Sequence, residues 1–300
     1  MVISEAKIRE RMNHIGGSDL GAIWGVDPFK NVADVWASKV YPLRNKPIPA
    51  ADFGNLVEPF IIEWTEKTTG MGKITVDERF TLGRFAVNLD GRFVDNPKVL
   101  VEAKSTSYIE DFGAEMTAQI PDRFLLQCQT QMMCAQAEEC YVPVMYFKNR
   151  CRDKMITAVR KGHPIATVLD VFGADIEHRM YHVKADEEVQ REIVRVGEIF
   201  WQHVIDKQEP TRIVPNLEVM KRVEFNTDLE VYLDDHVDLL DAWLSAKQDV
   251  KEAQAKKAEA EARLLLKMED AEVGVFPHGH LTRQAYKNGA TPLRWKPDSV

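Results

Sequence analysis

Two short segments hold the residues with the most chemistry in them, Val87-Asn88-Leu89-Asp90-Gly91 and Leu100-Val101-Glu102-Ala103-Lys104. Side chains alternate faces along a strand, so Glu102 and Lys104 project to one face while Val101 and Ala103 project to the other. Asp90 stands at the end of the preceding strand, before Gly91, and a hairpin brings it alongside. Two carboxylates and an ammonium then converge on one side of a sheet. That trio suits phosphodiester cleavage. Carboxylate oxygens are natural ligands for Mg²⁺, which keeps several waters and accepts a substrate phosphate, and Mn²⁺ suits the same oxygens. Such an ion acidifies a bound water and neutralises charge developing on phosphate. Lys104 would orient that water, and the Ala103 carbonyl would add a metal ligand. Glu-x-Lys on a strand is also common as a surface ion pair, so the trio has to be weighed with its surroundings.

The elements that must position these residues are legible from periodicity. Ser18 can cap a short helix through Trp24, and Asn31 a second one to about Val40. Phe53, Leu56, Val57, Phe60, Ile61 and Trp64 follow the spacing of an amphipathic helix that Gly70 can end, with Glu58 at the edge of the apolar stripe. Strands are predicted around Lys73–Phe80, Phe85–Val94 and Val99–Thr106, the last two joined by the turn Asp95-Asn96-Pro97-Lys98. A helix over Pro121–Glu138 follows, then a strand over Tyr141–Phe147 in which Pro143 favours an edge or a bulge. A strand near Glu177–Val183 leads into a helix from Asp186 to Lys207. Helices, antiparallel strands, helix, strand and helix in that order make a mixed α/β core, a mixed sheet flanked by helices.

Beyond Pro210 the character changes. No Pro or Gly occurs from Thr227 to Glu269, which reads as a long C-terminal helical extension, paired as a hairpin or coiled coil or standing alone. Its heptad is irregular, because Lys247 to Arg263 has few large apolar residues, so a solvent-exposed arm is expected before a coiled-coil dimer. The tail from Val273 is loop-rich or forms a small hairpin. The expected division is a core over 1–212 and an arm with tail over 213–300.

Charge narrows the partners. With 39 basic and 47 acidic residues the net charge of −8 argues against a general nucleic-acid coat, so any DNA must meet a local patch. Lys148, Arg150, Arg152, Lys154, Arg160 and Lys161, with Asp153 alone opposing them, form the candidate patch, whose bland counterpart is a solvated turn. No run of about 20 apolar residues is present. The charged N-terminal stretch lacks the apolar core of a signal peptide, so a cytoplasmic chain is expected. Cys128, Cys134, Cys140 and Cys151 form no C-x-x-C pair and are expected as buried free thiols.

The order of motifs resembles the phage lambda exonuclease and YqaJ-like viral recombinase group of the PD-(D/E)XK nuclease superfamily. The resemblance rests on Arg11 with Ile15-Gly16-Gly17-Ser18-Asp19-Leu20, then Gly25-Val26-Asp27-Pro28-Phe29, and Gly54-Asn55-Leu56-Val57-Glu58-Pro59. It continues in Asn88-Leu89-Asp90-Gly91, Glu102-Ala103-Lys104, Gln127-Cys128-Gln129 with Met132-Met133, and Phe200-Trp201 with the Pro210 region, over about 200 residues. It implies a restriction-endonuclease-like core in which Asp90, Glu102, the Ala103 carbonyl and Glu58 meet the metal. Lys104 would assist the attacking water and Gln129 would line the same site. Arg11 and Ser18 match positions that grip a terminal 5′-phosphate, in keeping with Arg as a bidentate phosphate binder. The family implies a Mg²⁺-dependent exonuclease acting on double-stranded DNA ends, a homo-oligomer (a trimeric ring or another form) and a single-strand annealing protein as partner. No Pro precedes Asp90, and the segment after Arg212 is absent from compact lambda-type exonucleases. Ser18 has a counter-reading as a helix cap, Asp19 as a helix-dipole residue, Asp95 as a turn residue, and Gln127 and Gln131 as an exposed helix face.

Overall fold

A computed structural model of the chain describes residues 5–44, 49–210, 214–224, 227–283 and 292–298. The chain divides into two compact units, Met1–Phe225 and Asn226–Val300.

The first unit opens with α1 (Glu5–Met12), a tight turn at Gly17–Asp19, α2 (Leu20–Ile23), α3 (Val32–Val40) and α4 (Pro49–Thr69). Asn31 caps α3 through a capping box with Asp34, as its position predicts. Ser18 caps nothing, for the turn is headed by Gly16, whose N–H donates to the Asp19 carboxylate at 3.0 Å. α4 buries Phe53, Val57 and Ile61 at the predicted spacing and stops at Gly70, whose φ of +64° an L side chain rarely adopts. Pro59 sits inside it, so the carbonyl one turn earlier, that of Asn55, loses its helical donor.

Each of the three predicted strands breaks in two, giving β1 (Ile74–Thr75), β2 (Arg79–Leu82), β3 (Phe85–Asn88), β4 (Gly91–Phe93), β5 (Val99–Val101) and β6 (Lys104–Thr106). Then follow α5 (Asp122–Ala135), β7 (Glu139–Phe147), α6 (Cys151–Arg160), α7 (Ile165–Val171), β8 (Ile176–Lys184), α8 (Glu187–Ile205) and α9 (Leu217–Met220). β2 and β3 form a hairpin of their own; the main sheet runs β1, β4, β5 and β7, with β6 and β8 also paired to β7. Val99 pairs with Glu139 and Lys104 with Val144 in one register, so β5 and β6 are two ends of one interrupted strand. β4 and β8 run antiparallel to their neighbours and β5, β6 and β7 run parallel, which makes the sheet mixed.

Pro143 helps explain the interruption. It lies in a central strand, contrary to the edge or bulge expected of it, between β8 and the β5–β6 line. Glu102 N–H donates to the Tyr141 carbonyl at 2.9 Å, and in this register the next rung would come from the amide of residue 143. Proline has none. The ladder therefore opens at Glu102 and Ala103 while the strand stays extended.

α5 packs on one face of the sheet through Leu126, Cys128 and Met132 against Val142, Val144 and Leu100; Phe53, Val57 and Ile61 of α4 meet Met145 and Phe147 in a separate apolar cluster. The stretch Lys148–Lys161 is mostly the helix α6, which buries Cys151 and Met155 in the α4 cluster; it is not a solvated turn. All four cysteines are buried free thiols, and burial pushes Cys134 up to about 12. Residues 214–224 fold back on α3, where Asn216 N–H donates to the Asp34 carboxylate at 2.6 Å.

The second unit holds α10 (Val237–Met268) and an antiparallel sheet of β9 (Val273–Phe276), β10 (Gly279–Arg283) and β11 (Leu293–Pro297), with β10 central. The extension is thus one helix of 32 residues, begun later than Thr227, and its tail is a small sheet. Among the described residues no helix is long and apolar enough to cross a membrane.

Candidate active site

The breaks in the strands are where the chemistry-bearing residues stand. Gly91 pairs with Val101 in the antiparallel β4–β5 ladder, so the next pair along is Asp90 opposite Glu102. Like charges directly opposed in a sheet repel. Asp90 is held by an N–H from Ala103, which reaches its Oδ2 at 2.9 Å. Gly91 lets the strands close here, because a Cβ on it would lie 2.4 Å from the Ile74 side chain.

Glu102 is 1% exposed and engages three donors. Lys104 Nζ and Gln127 Nε2 reach its Oε1, the latter at 2.6 Å, and Gln131 Nε2 donates to its Oε2. Gln127 Oε1 in turn accepts from Lys104 at 3.2 Å. A carboxylate has about four acceptor positions, so one remains on Glu102.

Electrostatics register the crowding. Asp90 is raised well above the ordinary carboxylate range by burial and then by the Glu102 charge, with Lys104 opposing. Glu58, projecting from α4, is raised by burial, then by Glu102 and Asp77. Burial would lower Lys104, but Glu102 and Asp90 outweigh it and the net shift is upward. Lys104 is therefore a persistent cation and unsuited to be a general base.

Asp90 and Glu58, both raised in part by the Glu102 charge, make with it an oxygen-only set, and the buried Gln131 Oε1 beside Glu102 has no hydrogen-bond partner among the described residues. Such a set fits a hard divalent cation. Among the described residues no three Asp, Glu, His or Cys side chains are gathered closely enough to cage an ion, so Glu58 does not close on Asp90 and Glu102 as a third direct ligand. Mg²⁺ commonly takes only one or two protein carboxylates and fills its octahedron with water and substrate oxygens, so Asp90 and Glu102 suffice.

The glutamines sort differently from the expectation. Gln129 is turned away from the site, donating to the Lys184 carbonyl at 2.7 Å and accepting from Asp186 N–H at 2.9 Å. It fixes the start of α8, which Asp186 caps. Gln131, expected on an exposed face, is 2% exposed and faces Glu102. Gln127 and Gln131 are one turn apart and share a helix face, while Gln129 lies about 200° round the helix. That spacing beside an apolar stripe was the available signal.

Gln127 and Gln131 also line a cleft of about 710 Å³ whose other walls carry Arg11, Ser18, Lys30, Lys39 and Arg79. Both N-terminal candidates, Arg11 and Ser18, are thus at one cavity that reaches the helix face behind Glu102. Lys39 was not foreseen. It is 7% exposed, with Nζ 2.7 Å from Asp19 Oδ2 and 2.9 Å from the Arg11 carbonyl. Asp19 is accordingly a half-buried ion-pair partner of the buried Lys39. Of the basic patch, Lys154 is exposed and Arg152 half-buried on α6, Lys148 pairs with Glu177 at 2.7 Å, and the side chain of Arg150 lies outside the described residues.

The family model of the YqaJ-like viral recombinase domain matches residues 7–138. Over that stretch the chain is similar to YqaJ-like viral recombinase domains. The stretch holds Arg11, Ser18, Glu58, Asp90, Glu102, Lys104, Gln127 and Gln131, while β7, β8 and the second unit lie past it. No curated protein sequence matches the chain. Among solved structures, an alkaline exonuclease from Laribacter hongkongensis is 16% identical, with 68% of this chain and 94% of that chain covered and a TM-score of 0.47. A phage-related exonuclease from Haemophilus somnus is 14% identical over 65% of this chain and 96% of that chain, at a TM-score of 0.46.

Proposed function

We propose that the YqaJ-like domain is a metal-dependent nuclease that degrades double-stranded DNA from its ends, 5′ to 3′. The 3′ single strands it leaves would pass to an annealing protein in phage-type recombination. The observation that carries this reading is the meeting of Asp90, Glu102 and Lys104 at the gap in the sheet, next to a cleft bearing Arg11 and Ser18.

In this reading Asp90 and Glu102 would hold Mg²⁺, which when bound would supply Lewis-acid stabilisation of the phosphate and acidify water at the site. Lys104, fixed as a cation by Glu102, orients the nucleophile and offsets charge developing on the phosphate. Glu58 would stand one layer out from the ion that Asp90 and Glu102 would hold. Gln127 and Gln131 hold the Glu102 carboxylate in place. Arg11 and Ser18 grip a terminal 5′-phosphate, and Arg150, Arg152 and Lys154 are the proposed track for the duplex. Backbone contacts then dominate binding, with little sequence preference and a strong dependence on salt. The chain works as a homo-oligomer.

The test is digestion of linear duplex with 5′-phosphate or 5′-hydroxyl ends beside a covalently closed circle, with Mg²⁺ or EDTA. Mg²⁺-dependent loss of the 5′-phosphorylated linear substrate alone is expected, and Arg11→Ala should erase the preference for phosphate. Cleavage of the circle would make the enzyme an endonuclease and leave Arg11 and Ser18 without this role. Binding of DNA without cleavage of any substrate would make it a non-catalytic end-binding protein. An unchanged salt slope after neutralising Arg150, Arg152 and Lys154 would remove the proposed track.

Gln131→Leu should raise the Mg²⁺ concentration for half-maximal rate by about 10- to 100-fold, the usual cost of losing a group that orients a metal ligand. Gln129→Leu is the control. It should leave the Mg²⁺ requirement unchanged and lower stability by about 1–3 kcal/mol, since it strands the Asp186 N–H and the Lys184 carbonyl. Equal Mg²⁺ shifts in both variants would sink the assignment of Gln131.

A further inference from the structure

α10 has an unpartnered face whose order becomes visible once its single-helix register is known. Trp243, Val250 and Lys257 recur every seven residues, and Ala246, Ala253 and Ala260 recur every seven between them. These are the a and d positions of a heptad. All six are exposed, Trp243 at 59% and Val250 at 56%. Lys247 lies over the Trp243 ring at 5.1 Å. The scarcity of large side chains that made the heptad look irregular is the alanine row itself.

We propose that this face pairs with the same face of a second copy of this chain, with the two helices antiparallel. In an antiparallel pair, a positions face d positions. Centring the two-fold axis between Lys251 and Glu252 sets Trp243 against Ala260, Val250 against Ala253, and Ala246 against Lys257. In these three layers each large side chain then meets a methyl group, the alternation that close-packed layers require. The small residues let the axes approach to about 8 Å. The Lys257 stem covers Ala246 while its ammonium reaches water.

The flanking positions agree. Asp249 of one helix comes beside Lys256 of the other, twice by symmetry, and Lys247 beside Gln254, so no like charges meet. A parallel, in-register pair does worse in the core. It would set Lys257 against Lys257, Trp243 against Trp243, and alanine against alanine across a void. Charge and volume thus select the same partner and the same direction.

Cysteine trapping in the full-length protein tests the direction. Val250→Cys and Ala253→Cys are made separately, both at exposed sites, against a background of four buried native thiols. Mild oxidation of the mixed variants should give a disulfide dimer, and oxidation of either variant alone should not. Cross-linking of each variant alone would establish a parallel pair and overturn the proposal, as would no cross-link in the mixture. Ala253→Gln keeps helix propensity and should weaken self-association about tenfold or more in sedimentation, the equivalent of about 1.4 kcal/mol. Unchanged association of that variant would also overturn it.

Discussion

Lys104→Ala should leave a folded protein that degrades linear duplex about 10²- to 10³-fold more slowly at saturating Mg²⁺, the usual cost of removing one preorganised electrostatic group. The fold should survive, because the Glu102 carboxylate keeps Gln127 and Gln131 as donors. The loss falls on the chemical step because Lys104 is the cation nearest the two carboxylates, held charged by both. Lys104→Arg should not rescue fully. A planar fork with a different reach cannot reproduce a point charge at this site. Single-turnover rates with circular dichroism as the folding control decide it; a rate within about threefold of wild type would remove Lys104 from the transition state.

Why this trio was legible in sequence, and much around it was not, has a physical basis. Asp90, Glu102 and Lys104 are local facts: strand alternation and a four-residue turn bring them together, and both can be read from neighbouring residues. The capping of α3 by Asn31 and the stop of α4 at Gly70 are local in the same sense. The interruption of the strand at Glu102 is not, since it depends on Pro143 meeting it from a strand forty residues away in register. Pro143 alone suggests an edge, and only the pairing reveals an interior gap. Gln129 and Gln131 differ by 200° of helix rotation, so which one meets Glu102 depends on how α5 is rolled on the sheet. Roll is set by Cys128 and Met132 packing under it, and a three-residue motif does not encode it.

Lys39 is the extreme case, because nothing near it in sequence shows that its amine is buried. The two ends of its ion pair lie on different elements, and its third contact is the backbone of Arg11. It ties the Gly16–Asp19 turn and the end of α1 to α3, and so it positions Arg11 and Ser18 on the cleft wall.

Lys39→Met should therefore be among the most damaging single changes away from the carboxylates. It leaves the half-buried Asp19 charge with the Gly16 N–H as a hydrogen-bond donor, and breaking a buried pair on one side costs up to about 3–5 kcal/mol, less here because solvent reaches Asp19. That is a large share of a typical total of about 5–15 kcal/mol. Adding Asp19→Asn should recover much of the loss, since the amide oxygen still accepts from Gly16 and no charge is stranded. The pH dependence gives the sharper test. Burial alone would raise Asp19, but attraction to Lys39 and Lys30 and the hydrogen bonds from Lys39 and Gly16 bring it below the ordinary value. Its stabilisation in the wild type is thus present above the unfolded carboxyl pKa of about 3.9 and lost as pH falls through the lower folded value. Without Lys39 only Lys30 and the Gly16 N–H still oppose burial, so Asp19 should move upward, and the penalty should be greatest at neutral pH and fade as the carboxyl takes up a proton on acidification. Urea denaturation of both proteins between pH 7 and pH 4 should show the stability gap narrowing as pH falls. A gap that stays constant across that range would mean that Lys39 stabilises by packing its stem and not by its charge.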